Sequence, residues 1–251
     1  MSEATYEGMP IPQCYIDIQD ALESGTDRII LYGRPGTGKT YSGLTAGVSD
    51  PSQSERLVCT EDMTSADVSG AFMPNVSGGF EFLPGAALRA WTNGTRLVID
   101  EIDKAGGDVF AQLLAFTDTV DSASFTRPDN GEVVRPKPGF SVVMTSNIED
   151  PRDLPTALKD RFPFAIEVNA AHPAALVKLP PQLRLLAATM IAAEPGQRAS
   201  LRAFYEFNRL LSGGRFSLER AANLIFGPVL ATQIIRCMSV GTLEPEFTLT
   251  V

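Results

Sequence analysis

The octapeptide Gly33-Arg34-Pro35-Gly36-Thr37-Gly38-Lys39-Thr40 constrains this chain more than any other stretch. It satisfies G-x-x-x-x-G-K-[ST], a phosphate-binding loop whose glycines let successive backbone N–H groups converge on phosphate oxygens. Such a loop works only between a buried strand and a helix. Arg28-Ile29-Ile30-Leu31-Tyr32 reads as that strand, and Tyr41–Val48 reads as the continuation of that helix. The candidate nucleotide-binding set is therefore Gly33, Pro35, Gly36, Thr37, Gly38, Lys39 and Thr40. Lys39 brings positive charge for the β and γ phosphates, and Thr40 a hydroxyl for Mg²⁺.

Short β-rich runs alternate with helical ones from there on, the rhythm of a largely parallel α/β sheet. Strands are expected at Ile29–Tyr32, Arg56–Thr60, Thr95–Asp100, Phe140–Thr145 and Phe164–Val168. Helices are expected near 13–23, 38–48, 84–92, 108–119 and 155–160. The texture turns helical after Ala170, with runs at Leu176–Ala193, Arg198–Leu211 and Ser217–Phe226, then a further apolar stretch at Val229–Met238; Pro180-Pro181 marks a break. The expected organisation is an α/β core over 1–170 and a helical lid with a tail over 171–251, Phe247–Val251 forming a strand. Two β-hairpin insertions interrupt the core. One spans Val68–Phe82 with Gly78-Gly79 at its turn; the other runs from Ser124 to Arg135 through Asp129-Asn130-Gly131.

A phosphate grip becomes a hydrolase only with a metal anchor and a group that activates water. Leu97-Val98-Ile99-Asp100-Glu101 ends an apolar strand in two carboxylates, 61 positions beyond Lys39. Asp100 is the candidate partner of Thr40 in holding Mg²⁺, and Glu101 the candidate general base. Asp103 and Lys104 read as solvated or structural. Phe140–Asn147 is a second buried strand, ending in an amide that can donate and accept at once. Asn147 is either a contact to phosphate and water or a residue closing a turn.

Composition narrows the partners. The 251 residues are 44% hydrophobic and 20% charged, with a formal net charge of -9. An acidic surface argues against a protein built mainly to hold nucleic acid. Cys14, Cys59 and Cys237 lack both metal-ligand spacing and an even number, and His172 is the only histidine. A disulfide framework, a histidine triad and a multi-histidine metal site are thereby disfavoured. The N-terminus carries no basic-then-apolar leader pattern, and no apolar run reaches bilayer length. Residence in the cytoplasm, without membrane, is the expectation.

In the order GRPGTGKT, LVIDEID, MTSN, LPTALKDRF and SLERA, the chain resembles the AAA+ ATPases, and within them the MoxR-like and dynein-related branch. The resemblance covers about residues 27–226. It implies a P-loop core with a parallel five-stranded sheet, a small C-terminal α-helical lid, ATP and Mg²⁺ as ligands, and a hexameric ring. It also implies catalytic roles for Glu101 and for Asn147 as sensor 1. Arg161 is implied as the finger acting on a neighbouring subunit, and Arg220 as sensor 2 acting in cis. Arg152 and Arg215 are rivals nearby, and Ser217 also suits a helix N-cap. Both hairpins correspond to insertions that approach the pore of such a ring. Phe72, Met73 and Phe80 there either grip a partner polypeptide or close the hairpin's own core.

The implied activity is ATP hydrolysis that remodels or activates a partner protein, directly or through an adaptor. Two alternatives stand beside it: a nucleic-acid motor or loader, for which Arg127 and Arg135 count, and an ATP-gated assembly scaffold. GTP in place of ATP lacks a guanine-reading motif.

Overall fold

The computed structural model describes residues 4–119 and 121–240. The strand expected at Phe247–Val251 lies outside them. Contacts divide the chain into two compact units. One comprises Gln13–Arg34 and Gly38–Val168; the other comprises Met1–Pro12, Pro35–Thr37 and Asn169–Val251.

The first unit is built on five parallel strands: β1 (Arg28–Tyr32), β2 (Glu55–Val58), β3 (Arg96–Asp100), β4 (Ser141–Thr145) and β5 (Phe164–Glu167). Their order across the sheet is β5-β1-β4-β3-β2. The central strands are apolar without alternation. Ile29, Ile30, Leu31, Leu97, Val98, Ile99, Val142, Val143 and Met144 are all fully buried. A parallel sheet demands this, because its crossover helices cover both faces. Register is tight at the centre, where Val143 pairs with Ile29 on one side and Val98 on the other.

The helices of this unit are α1 (Gln13–Glu23), α2 (Lys39–Thr45), α3 (Ser65–Ser69), α4 (Ala86–Asn93), α5 (Gly107–Phe116) and α6 (Thr156–Arg161). Ile30, Leu97, Ile99, Val142 and Met144 belong to a cluster with Leu88 and Trp91 of α4 and Leu113 and Phe116 of α5. The Trp91 ring lies 4.6 Å from that of Phe116, tilted by 49°, and donates its indole N–H to the Phe116 carbonyl at 3.1 Å. That bond satisfies the one polar atom the ring would otherwise bury bare.

Both expected hairpins form. The first pairs Gly70–Pro74 with Phe80–Pro84. Its turn starts earlier than Gly78-Gly79, because the Asn75 carboxamide oxygen accepts the backbone N–H groups of Ser77 and Gly79. The neck requires glycine: at Gly70 (φ 119°) a Cβ would stand 2.3 Å from the Leu83 carbonyl oxygen. The second hairpin pairs Phe125–Thr126 with Val133–Val134. The guanidinium of Arg127 lies 5.7 Å above the ring of buried Phe82, tying one hairpin to the other.

The second unit holds α7 (Pro173–Leu176), α8 (Pro181–Ala192), α9 (Leu201–Ser212) and α10 (Leu218–Val240). The run expected over 176–193 is helical only from Pro181, and Leu176 closes the short helix before it. Pro180 and Pro181 lack N–H groups to continue a helix, yet Pro181 suits the first turn of a new one. The ring of Phe226 packs 5.1 Å from Phe204 and 5.2 Å from Phe207. Thr5–Tyr6 and Met9–Pro10 form a short antiparallel pair in this unit, and Met9 packs against its helical core. Leu218–Ser239 is long and apolar enough to cross a membrane by length and composition alone, with a mean hydropathy of 1.3, so the expectation of no such run needs correction. Gly227 (φ 74°) with Pro228 breaks it into two pieces, as the two separate runs anticipated. Neither piece approaches the ~20 residues of a span.

Candidate functional site

The site grows from the C-terminal ends of β1, β3 and β4, which lie side by side. At the end of β1 the chain turns through Gly33 (φ 117°), where a Cβ would stand 3.0 Å from the Val168 carbonyl oxygen. Gly38 (φ 103°) then caps α2 in a left-handed conformation that an L side chain resists. Lys39 opens the helix and is 5% exposed. Its ammonium donates to the carbonyls of Gly33 at 2.6 Å and Arg34 at 2.8 Å, so the charge sits within the curl of the loop. Pro35, Gly36 and Thr37 group with the other unit.

Asp100 ends β3 and is 4% exposed. One carboxylate oxygen accepts the hydroxyls of Thr40 at 2.7 Å and Thr145 at 2.5 Å. The other accepts the Arg56 guanidinium at 2.5 Å. Burial opposes ionisation of Asp100, but the bonds from Thr145, Arg56 and Thr40, with the Arg56 charge, outweigh it and hold the carboxyl below its ordinary value. Asp100 is thus ready to act as an anion. Thr40 and Asp100 share a hydrogen bond, so both oxygens can face one small cation. Among the described residues no group of three or more His, Cys, Asp or Glu side chains is placed to hold a metal. The donor set suits a hard cation that keeps water and phosphate as its other ligands, the habit of Mg²⁺.

Glu101 follows in a left-handed backbone conformation (φ 59°, ψ 47°), one of two non-glycine residues with positive φ among those described. Its N–H donates to the Thr145 hydroxyl at 3.1 Å. Its carboxylate accepts from Asn147 Nδ2 at 3.3 Å and from Lys104 Nζ at 2.5 Å. Asn147 is steadied by its backbone N–H, which donates to Asp103 at 3.1 Å; Ser146 donates to the same Asp103 oxygen at 2.8 Å. Asp103 therefore has the structural duty expected of it. Lys104 is half-exposed and paired with Glu101 rather than merely solvated.

Thr40, Asp100, Glu101 and Asn147 are brought together; Arg161 has its bonds within α6 and beside Asp118, and Arg220 belongs to the other unit. Arg161 ends α6, donates to the Ala157 carbonyl at 3.3 Å and lies 3.9 Å from Asp118. Arg152 is paired with Asp150, and Arg215 is exposed. Arg220 belongs to the helical unit, where its guanidinium lies 5.1 Å above the Phe216 ring. The Arg220 N–H donates to the Ser217 hydroxyl at 3.2 Å, the capping bond that the serine suggested. Sequence reasoning missed Thr145 and Arg56. A polar residue closing an apolar strand was a signal for Thr145; nothing local marked Arg56.

Residues 28–162 match the model of the AAA domain, dynein-related subfamily. An uncharacterized protein of Staphylococcus saprophyticus is 31% identical over 140 residues, which is 53% of this chain and 52% of that protein. An uncharacterized protein of Staphylococcus haemolyticus is 30% identical over 148 residues, 57% and 56% of the two chains. The chain thus spans about half the length of the curated relatives it matches. A crystal structure from Cytophaga hutchinsonii aligns with a TM-score of 0.49 at 20% identity, covering 79% of this chain and 59% of that one. With the match running over more than half its residues and through the phosphate loop, the Asp100-Glu101 pair and Asn147, this chain belongs to the AAA domain family, in its dynein-related subfamily.

Proposed function

We propose that the chain is a MoxR-like AAA+ ATPase that hydrolyses ATP within a homo-oligomeric ring, a hexamer, and uses the energy to remodel or activate a partner protein. The observation that carries this reading is the convergence of Thr40 and Thr145 on one oxygen of Asp100, beside a Glu101 carboxylate held by Asn147.

In this reading Lys39 leaves the loop carbonyls for the phosphates of ATP. Thr40 and Asp100 would hold Mg²⁺, which would supply positive charge against those phosphates. Glu101 accepts the proton of the attacking water, and Asn147 fixes the direction in which the carboxylate points. Arg161 is assigned to the nucleotide of the neighbouring subunit and Arg220 to its own. Phe72, Met73 and Phe80 on the first hairpin are exposed, as is Val76 at its tip, which favours a polypeptide partner. Arg127 is bound by Asp129, and Arg135 by the carbonyls of Asp121 and Ala123. Their charges are spent internally, which weakens the nucleic-acid alternative. Cys14, Cys59 and Cys237 are in no disulfide among the described residues, which is in keeping with residence in the cytoplasm.

The test pairs two variants. Glu101→Gln is expected to bind ATP and not turn it over, while Lys39→Ala loses binding. Rapid turnover by Glu101→Gln would overturn the base assignment, and full nucleotide affinity in Lys39→Ala would overturn the phosphate loop as the site.

A further inference from the structure

Asp100 does not face the metal position alone. Arg56 stands on β2, the edge strand, where it pairs with Val98 while Val58 pairs with Asp100. Two residues of offset on the adjacent strand put its side chain on the same face as Asp100, within reach of it. The guanidinium donates to Asp100 Oδ2 at 2.5 Å, opposite the oxygen that takes Thr40 and Thr145. The Arg56 side chain is 47% exposed although its partner carboxylate is 6% exposed. The same side chain lines a surface cleft of about 740 Å³ together with Thr60, Asp62 and Arg89, so it has room to swing away.

A guanidinium keeps its charge at every physiological pH. The carboxylate that would anchor Mg²⁺ therefore already carries a tethered cation on one oxygen. A second cation at Oδ1 is repelled by the first, although both are attracted by the same carboxylate. We infer that Arg56 is a positioning residue that holds Asp100 by Oδ2, reserves Oδ1 and Thr40 for the divalent ion, and by its charge sets how much Mg²⁺ the nucleotide site demands. The inference rests on the ATP-binding reading above. Replacing the charge by a neutral side chain then tightens the metal. Lysine keeps the charge and gives up only the planar fork.

The experiment is a Mn²⁺ titration of the full chain loaded with a non-hydrolysable ATP analogue, read by electron paramagnetic resonance, on the original protein, Arg56→Gln and Arg56→Lys. One unit charge against two, a few ångströms apart in a water-like dielectric, is worth about tenfold in affinity. Arg56→Gln is therefore expected to bind Mn²⁺ about tenfold more tightly than the original protein, with Arg56→Lys close to it. Emission from buried Trp91, the only tryptophan, reports whether each variant is folded. Equal or weaker Mn²⁺ binding by folded Arg56→Gln overturns the role of Arg56 and leaves the ATP reading intact. Tightening in both variants shows that geometry rather than charge is at work, and also overturns it. Should the original protein bind the analogue neither with nor without the ion, the ATP reading falls and this inference with it. Should Arg56→Gln be unfolded, Arg56→Met takes its place as the neutral variant: about tenfold tighter Mn²⁺ binding supports the charge argument, and equal or weaker binding overturns it.

Discussion

Asn147 reaches from the loop after β4 to within 3.3 Å of Glu101 Oε1 in the turn after β3, so an amide on one strand end aims a carboxylate on the next. Both residues are themselves held: Asn147 through its N–H to Asp103, Glu101 through its N–H to Thr145. The polar groups form a bonded row across the carboxyl ends of β3 and β4, where an open parallel sheet places its ligand crevice.

Asn147→Ala should keep the fold and leave ATP affinity within about threefold, while lowering kcat by roughly 10²-fold, the usual cost of one lost orienting donor. Steady-state hydrolysis together with equilibrium nucleotide binding checks both parts. A kcat within a factor of two of the original rate would show that the amide only closes a turn.

Glu101 spends stability on its position. A non-glycine residue in the left-handed region costs about 1–2 kcal/mol. Glu101→Gly should therefore be more stable than Glu101→Ala by about 1 kcal/mol in urea unfolding, and both should be inactive. Equal stability of the two variants would mean that the backbone relaxes out of φ 59° without the carboxylate.

Thr145 is 1% exposed and its hydroxyl is shared between Asp100 and the Glu101 N–H. Thr145→Val keeps the shape but deprives the half-buried Glu101 N–H of its acceptor and leaves Asp100 Oδ1 with Thr40 alone, at a cost of about 1–3 kcal/mol. Thr145→Ser should recover most of that loss and most of the activity. If valine is tolerated in both stability and turnover, the hydroxyl is not what joins the two strand ends.

Cys59 is buried, and burial, followed by the charges of Asp100, Asp103 and Glu101, pushes its thiol up to about 12. The unfolded chain releases this proton near pH 8.5. Above that pH the unfolded state binds fewer protons than the folded one, so stability falls as pH rises towards 12, by at most about 1.4 kcal/mol per unit. Below pH 8.5 the residue contributes no slope. Urea unfolding of the original protein and Cys59→Ala between pH 7 and 10.5 should diverge only in the alkaline half. Parallel curves throughout would show that the thiol titrates normally.

The loop Gly33–Thr40 was legible because the chemistry of gripping phosphate is written in contiguous residues with glycines where the backbone must bend. The five strands were legible for a similar reason, as unbroken apolar runs with turn residues at their ends. Asp100, Glu101 and Asn147 were readable from their place at the ends of such runs. The partners of Arg56, Thr145 and Asp103 were not, since each acts on a residue more than 40 positions away. Only the parallel register, with Val58 beside Asp100 and Met144 beside Ile99, makes neighbours of them. The sequence by itself determined which polar residues are present and which strands they end. Tertiary structure decided which groups share a proton or a charge, because strand pairing, unlike a loop, is set by packing both faces of the sheet at once.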